Sequence, residues 1–248
     1  LYSPAPDAGP LPLVVYFHGG GWLLGSIDSH DGLARRLAIA TGMSVVNVGY
    51  RLAPEWRFPT AVNDAVDSVR WVSAQADRLD VDPSRIAVGG DSAGGNLATV
   101  AAAVLRDGVS VRIRHQLLVY PVTTCDLDVG FDPEYEGIML FRDELQWHQD
   151  NYLADPSQST DPLVAPLLAD LAGLPSATVV MAECDPIRRQ GELYVAALEK
   201  AGVPVQARQY AGMLHGFFGL DMMWDEARDA IDFAAARLKA AMADVAAR

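Results

Sequence analysis

The chain reads as an α/β protein with a mostly parallel central sheet and helices on both faces. Short, unbroken apolar runs such as Leu13 to Phe17 have the composition of strands buried on both sides. Segments of helical length and spacing separate those runs, so strand and helix alternate along the chain. A glycine-rich turn, Gly89 to Gly95, joins one apolar run to an Ala-rich segment, and such sheets carry their chemistry at the C-terminal ends of strands.

With 248 residues the chain suits one domain spanning 1–248, or two small ones, and is long enough for a sizeable core. Half of it is hydrophobic and 21% is charged, a composition for a globular protein. A net charge of −13 and a pI near 4.6 argue against nucleic acid and against anionic membrane surfaces. Only Lys200 and Lys239 are lysines, a skew that GC-rich coding or salt adaptation produces. Cys125 and Cys184 are no disulfide framework, so reduced thiols and a cytoplasmic location are expected. No apolar run approaches the roughly 18 residues of a membrane span. The N-terminus carries neither an apolar signal core nor an initiator Met, and reads as a chain entered partway through.

Residues 3 to 12 hold four prolines and form an extended loop. Leu13 to Phe17 is the first strand, ending in His18-Gly19-Gly20-Gly21-Trp22. Helical spacing of Leu33, Leu37 and Ala40 predicts a helix from His30 to Thr41, stopped by Gly42, with a strand over Ser44 to Val48. Tyr50-Arg51-Leu52-Ala53-Pro54 is a turn in which Arg51 ties loops together. A helix follows from near Pro59 to about Asp77, then a turn over Asp80 to Pro83 and a short strand, Ile86-Ala87-Val88. The helix after the glycine-rich turn runs from Asn96 to Arg106, and the next strand from Ile113 to Tyr120. Residues 124 to 163 break the alternation. They are acidic and aromatic, with one helix over Phe141 to Leu153, and read as a lid over a pocket or as a surface excursion that only packs. A strand over Ala177 to Ala182, a helix over Gln190 to Ala201, a strand over Val203 to Tyr210 and a helix over Asp221 to Ala247 complete the chain.

Gly90 to Gly94 is Gly-x-Ser-x-Gly. A bare match could be a glycine-rich helix cap, because Ser is a preferred N-cap; the flanking strand and helix decide for a nucleophile turn. A serine at the apex of a strained strand-to-helix turn exposes its hydroxyl, and side chains two residues either side of it would collide. The backbone N–H after Ser92 then faces whatever the serine attacks, at a helix N-terminus that favours negative charge. Three glycines after the first strand leave N–H groups unshielded, as an oxyanion site requires, or make an ordinary loop. Serine needs a base, and the base an orienting group. Of five histidines, His30 and His148 fall on helices or caps, His115 lies within a strand, and His18 orients or packs beside the glycines. His215 follows the last strand at the catalytic end of the sheet. In α/β-hydrolases the order is serine, acid, histidine. Asp185, on the turn after the Val179 strand, fits better than its rival Glu183, because it lies further past the strand end.

Together His18-Gly-Gly-Gly-Trp22, Tyr50-Arg-Leu-Ala-Pro54, Gly90-Asp-Ser-Ala-Gly-Gly95, Asp185-Pro-Ile and His215-Gly-Phe217 resemble the hormone-sensitive-lipase family of bacterial carboxylesterases, in the branch with Gly-Asp-Ser-Ala-Gly at the nucleophile. The resemblance covers the chain from about residue 11 onward. It implies an α/β-hydrolase fold and hydrolysis of short-to-medium-chain acyl esters by Ser92, Asp185 and His215. It also implies an oxyanion hole from the N–H groups of Gly20, Gly21 and Ala93, with Gly19 opening the turn. Two departures accompany it. Ile187-Arg188-Arg189-Gln190 replaces a commonly more acidic continuation after Asp-Pro, and the cap helices and first strand that family members carry ahead of this point are not in this sequence; were that segment really missing, apolar surface around the pocket should be exposed. Trp22 and Phe217 flank the centre as pocket walls or as core. The partner implied is a small-molecule ester, with no metal, no cofactor, no nucleic acid, no membrane span, and a possible homodimer. Two alternatives stand beside this: an amidase or deacetylase using the same first step, and a non-catalytic small-ligand receptor on the same fold. Plant hormone receptors resembling the family have lost the catalytic histidine; this chain keeps His215.

Overall fold

The structure, a computed structural model, describes residues 1–5, 8–106, 108 and 111–243. Six strands form one parallel sheet in the order β2-β1-β3-β4-β5-β6. They are β1 (Leu11–Phe17), β2 (Ser44–Val48), β3 (Val81–Asp91), β4 (Ile113–Val119), β5 (Ser176–Cys184) and β6 (Val205–Leu214). The helices are α1 (Asp31–Thr41), α2 (Thr60–Ala74), α3 (Ala76–Leu79), α4 (Ala93–Arg106), α5 (Leu127–Gly130), α6 (Arg142–Tyr152), α7 (Arg188–Lys200) and α8 (Asp225–Met242).

Side chains alternate across the strands and split the core into two layers. Leu13, Val15 and Phe17 of β1 join a cluster with α2, α4 and α7, while Val14 and Tyr16 join one with α1 and α8. Leu37 of α1, Leu97 of α4 and Ile231 of α8 are fully buried, and each contributes about 1.5–3 kcal/mol by leaving water.

The sequence-predicted elements hold, with shifted ends. β3 begins at Val81, inside the stretch expected to turn, because Val81 pairs with Leu11 before a register shift reaches Ile86. The expected α2 breaks at Gln75, and α3 then ends in a left-handed Asp80. β5 and β6 run past their expected ends to Cys184 and Leu214, so Asp185 and His215 are the first residues beyond two adjacent strands. α4 starts at Ala93, directly after Ser92. The terminal helix expected to reach Ala247 falls partly outside the described residues; α8 itself ends at Met242.

Candidate active site

Ser92 sits between β3 and α4 with φ 55°, a left-handed conformation that a non-glycine residue adopts at a cost of order 1 kcal/mol. The strain is held by pairing on both sides. Its N–H donates to the Val119 carbonyl of β4 at 2.9 Å, and its carbonyl accepts from Asn96 at 3.1 Å and Val122 at 3.2 Å. The two motif glycines are required by close approach. A Cβ on Gly90 would lie 2.6 Å from the Phe17 carbonyl oxygen, and one on Gly94 would lie 2.6 Å from the His18 carbonyl oxygen and closer still to that of Phe17. The Ser92 turn is therefore pressed against the end of β1, where the three-glycine loop begins.

His215 and Asp185 reach Ser92 from the ends of β6 and β5. His215 Nε2 is 3.0 Å from Ser92 Oγ, and its Nδ1 is 2.7 Å from Asp185 Oδ2. The other Asp185 oxygen accepts the Ile187 N–H at 2.9 Å, which fixes the carboxylate in a fully buried position. Burial alone would depress the His215 pKa. The Asp185 carboxylate, through charge and hydrogen bond, outweighs it with smaller help from Asp91 and Glu144, and the pKa is raised above 6.5. Glu183, the rival acid, instead accepts the Gly212 N–H at 2.7 Å on the exposed side.

The glycine loop folds over this centre. Gly20 and Gly21 have φ of 117° and 60°, and they line the same cavity as Ser92 and His215. Ala93, first residue of α4, has no intrahelical acceptor for its N–H. His18 packs beside the loop. Its Nδ1 lies 2.8 Å from the Gly19 carbonyl, its ring stacks on Tyr50 at 4.4 Å, and burial lowers its pKa. Arg51 binds Asp64 through Nε at 2.9 Å and through an amino nitrogen at 2.6 Å, tying the Tyr50 turn to α2.

Trp22 and Phe217 part company. Trp22 lines the cavity and stacks on Tyr152 at 4.4 Å with planes 3° apart. Phe217 does not line it. It is fully buried in the α8-side layer against Tyr210 and Tyr120, because the chain turns inward after His215 to cover that layer.

Four neighbours were not singled out by sequence. Asp91, the variable residue of the serine motif, accepts from Tyr16 OH at 3.0 Å and from the Gly19 N–H at 3.2 Å, joining nucleophile turn to glycine loop. His30 caps α1 and sits 3.3 Å from the same carboxylate. His148, on α6, packs on Gly21 and has its pKa lowered by burial. The Tyr120 ring lies 4.5 Å from that of His215. The only sequence signal for Asp91 was its place inside the motif; the others come together through tertiary packing.

A cavity of about 480 Å³ opens above Ser92, within the usual range for small-ligand sites. Its far wall comes from the 124–163 segment, through Leu127, Leu140, Leu145, His148 and Gln149. No group of three or more metal-ligating side chains occurs among the described residues.

Residues 14–219 match a family model described as alpha/beta hydrolase fold. The chain belongs to that family. An ethyl acetate hydrolase of Pseudomonas putida is 41% identical over 93% of this chain and 74% of its own length. The carboxylesterase NlhH of Mycobacterium tuberculosis is 40% identical over 98% of this chain and 77% of its own. Among solved structures, an esterase of Pyrobaculum calidifontis superposes with TM-score 0.90 at 43% identity, over 96% of this chain and 79% of that one. In this α/β-hydrolase, no helix among the described residues is long and apolar enough to cross a membrane.

Proposed function

We propose that the protein is a serine carboxylesterase acting on short-to-medium-chain acyl esters. The observation that carries the reading is the line Ser92 Oγ, His215, Asp185, closed by contacts of 3.0 and 2.7 Å at the mouth of an apolar cavity. Ser92 Oγ attacks the ester carbonyl as His215 Nε2 takes its proton. The carbonyl oxygen becomes an oxyanion, received by the N–H groups of Gly20, Gly21 and Ala93. His215 passes the proton to the departing alcohol, leaving an acyl group on Ser92. A water activated by the same imidazole then releases the acid. Asp185 holds the tautomer with Nε2 free to accept, and stabilises the imidazolium. The raised His215 pKa supports that role, since it measures how far the site favours the cation.

Residues 124–163 serve as the lid of this site, a reading supported by their share of the cavity wall. A small ester is the partner. A homodimer is proposed with it on the strength of exposed Leu24, Phe141 and Met223, on or beside cavity-lining segments, and sedimentation tests it. Free Cys125 and Cys184 support a cytoplasmic location, with burial pushing the Cys125 thiol up to about 12.

Covalent labelling tests the nucleophile. An alkyl phosphonate with a nitrophenyl leaving group should add once per chain, on the Ser92 peptide, and Asp185→Asn should slow the addition. Labelling elsewhere, or none on folded protein, would overturn the assignment.

A further inference from the structure

The cavity carries a charge pattern that ester chemistry does not use. Besides His215 and Tyr120, its titratable lining is Asp91, Glu144, His30 and His148; among the described residues neither lysine nor arginine lines it. The Asp91 carboxylate is engaged by Tyr16, Gly19 and His30. Glu144 is not engaged. It lies half-buried in the first turn of α6, and no hydrogen bond or ion pair to its carboxylate occurs among the described residues. The positive end of the helix stabilises it there without a partner. Its charge reaches His148, one turn along, and His215 across the cavity.

We propose that Glu144 determines specificity by charge: an unpaired anion on the cavity wall that turns away esters bearing a carboxylate and favours esters bearing a quaternary ammonium. The inference rests on the esterase reading of Ser92. A second anion entering this space loses its water and meets no cation, while the apolar walls leave the Glu144 charge poorly screened. A cation meets the opposite situation. The net charge of −13 acts in the same direction at long range, so the local effect has to be separated from the global one.

Two isosteric pairs provide the test. On the acyl side, monomethyl glutarate is compared with the methyl ester in which isopropyl replaces the carboxylate. On the alcohol side, acetylcholine is compared with uncharged dimethylbutyl acetate. The ratio of kcat/KM, charged over neutral, should be about tenfold or more below one for the glutarate ester, and at or above one for acetylcholine. Glu144→Gln should raise the first ratio and lower the second, each by up to about tenfold, whereas Asp143→Asn, an exposed neighbour on the same helix, should move neither. The proposal is overturned if Glu144→Gln leaves both ratios in place, or if Asp143→Asn moves them equally. Calorimetric Kd ratios for the same pairs on Ser92→Ala read charge preference without turnover. Neutral esters left uncleaved by wild type would sink the esterase reading alone, and equal Kd values within the pairs would sink this one alone.

Discussion

Gly94→Ala is the substitution whose consequence the structure fixes most sharply. The new methyl would face the backbone carbonyls of Phe17 and His18, with 2.6 Å to the latter and less to the former. A real Cβ keeps beyond 3.0 Å, and carbonyl oxygens at a strand end have no rotamer with which to yield. The backbone of α4 and the end of β1 must therefore separate by about an ångström, the shift that the closer Phe17 contact demands. Alanine has better helix propensity than glycine, a gain of up to about 1 kcal/mol. Overpacking of this kind costs about 1–3 kcal/mol and involves two backbones, so the clash wins. With a net loss of about 2 kcal/mol, the melting temperature of a chain of this size falls by roughly 4–8 °C. The catalytic loss is larger, because the same separation moves Ser92 away from the Gly20–Gly21 loop, and a displacement near 1 Å costs about a hundredfold in rate. Thermal unfolding followed by circular dichroism, with kcat/KM on p-nitrophenyl acetate, reads both. Gly32→Ala on α1 is the counter-case, since among the described residues nothing lies within 4 Å of its added Cβ, and it should hold or raise the melting temperature. A Gly94→Ala protein with wild-type melting and wild-type kcat/KM would refute the close-approach argument.

Other expectations follow from the same contacts. If the neutral His215 imidazole acts as the proposed base, its raised pKa means that kcat/KM should be full at high pH and fall as pH drops through a value above 6.5. Asp185→Asn removes the chief raising influence, so that limb should move to lower pH while kcat falls by roughly a thousandfold or more; a limb that stays in place would separate Asp185 from His215. Asp91→Ala strips the partner from the fully buried Tyr16 hydroxyl and should cost about 1–3 kcal/mol in urea unfolding, with Asp91→Asn recovering most of it. The Tyr152 hydroxyl is buried with no partner among the described residues, so Tyr152→Phe should be neutral or stabilising, whereas Tyr152→Ala, which also unstacks Trp22, should cost about 3–5 kcal/mol.

The contrast between Asp185 and Phe217 shows how much of this site can be read from sequence. Asp185 and His215 follow apolar runs that parallel-sheet logic ends at one edge, so their convergence with Ser92 follows from chain order and strand position alone. Phe217 stands two residues past His215, yet faces the core. Which way a short loop turns after a strand depends on the space left beneath it by Tyr210 and Tyr120, and no local pattern records that. The same limit explains His148 and Glu144. Their i, i+4 spacing is visible, but α6 is polar nearly all round, and only its docking beside Gly21 selects the face that meets the cavity. Strand ends shifted for a related reason: β3 and β6 were extended by pairing with Leu11 and Cys184, a tertiary gain that local propensity does not contain.

Hydrolysis of p-nitrophenyl acetate, butyrate, octanoate and palmitate by this 248-residue chain, with Ser92→Ala in parallel, tests the central claim most directly. The account predicts turnover of the shorter esters, declining toward palmitate, and its loss by several orders of magnitude in the variant. Turnover that survives Ser92→Ala, or a folded wild type inert on every ester, would contradict it.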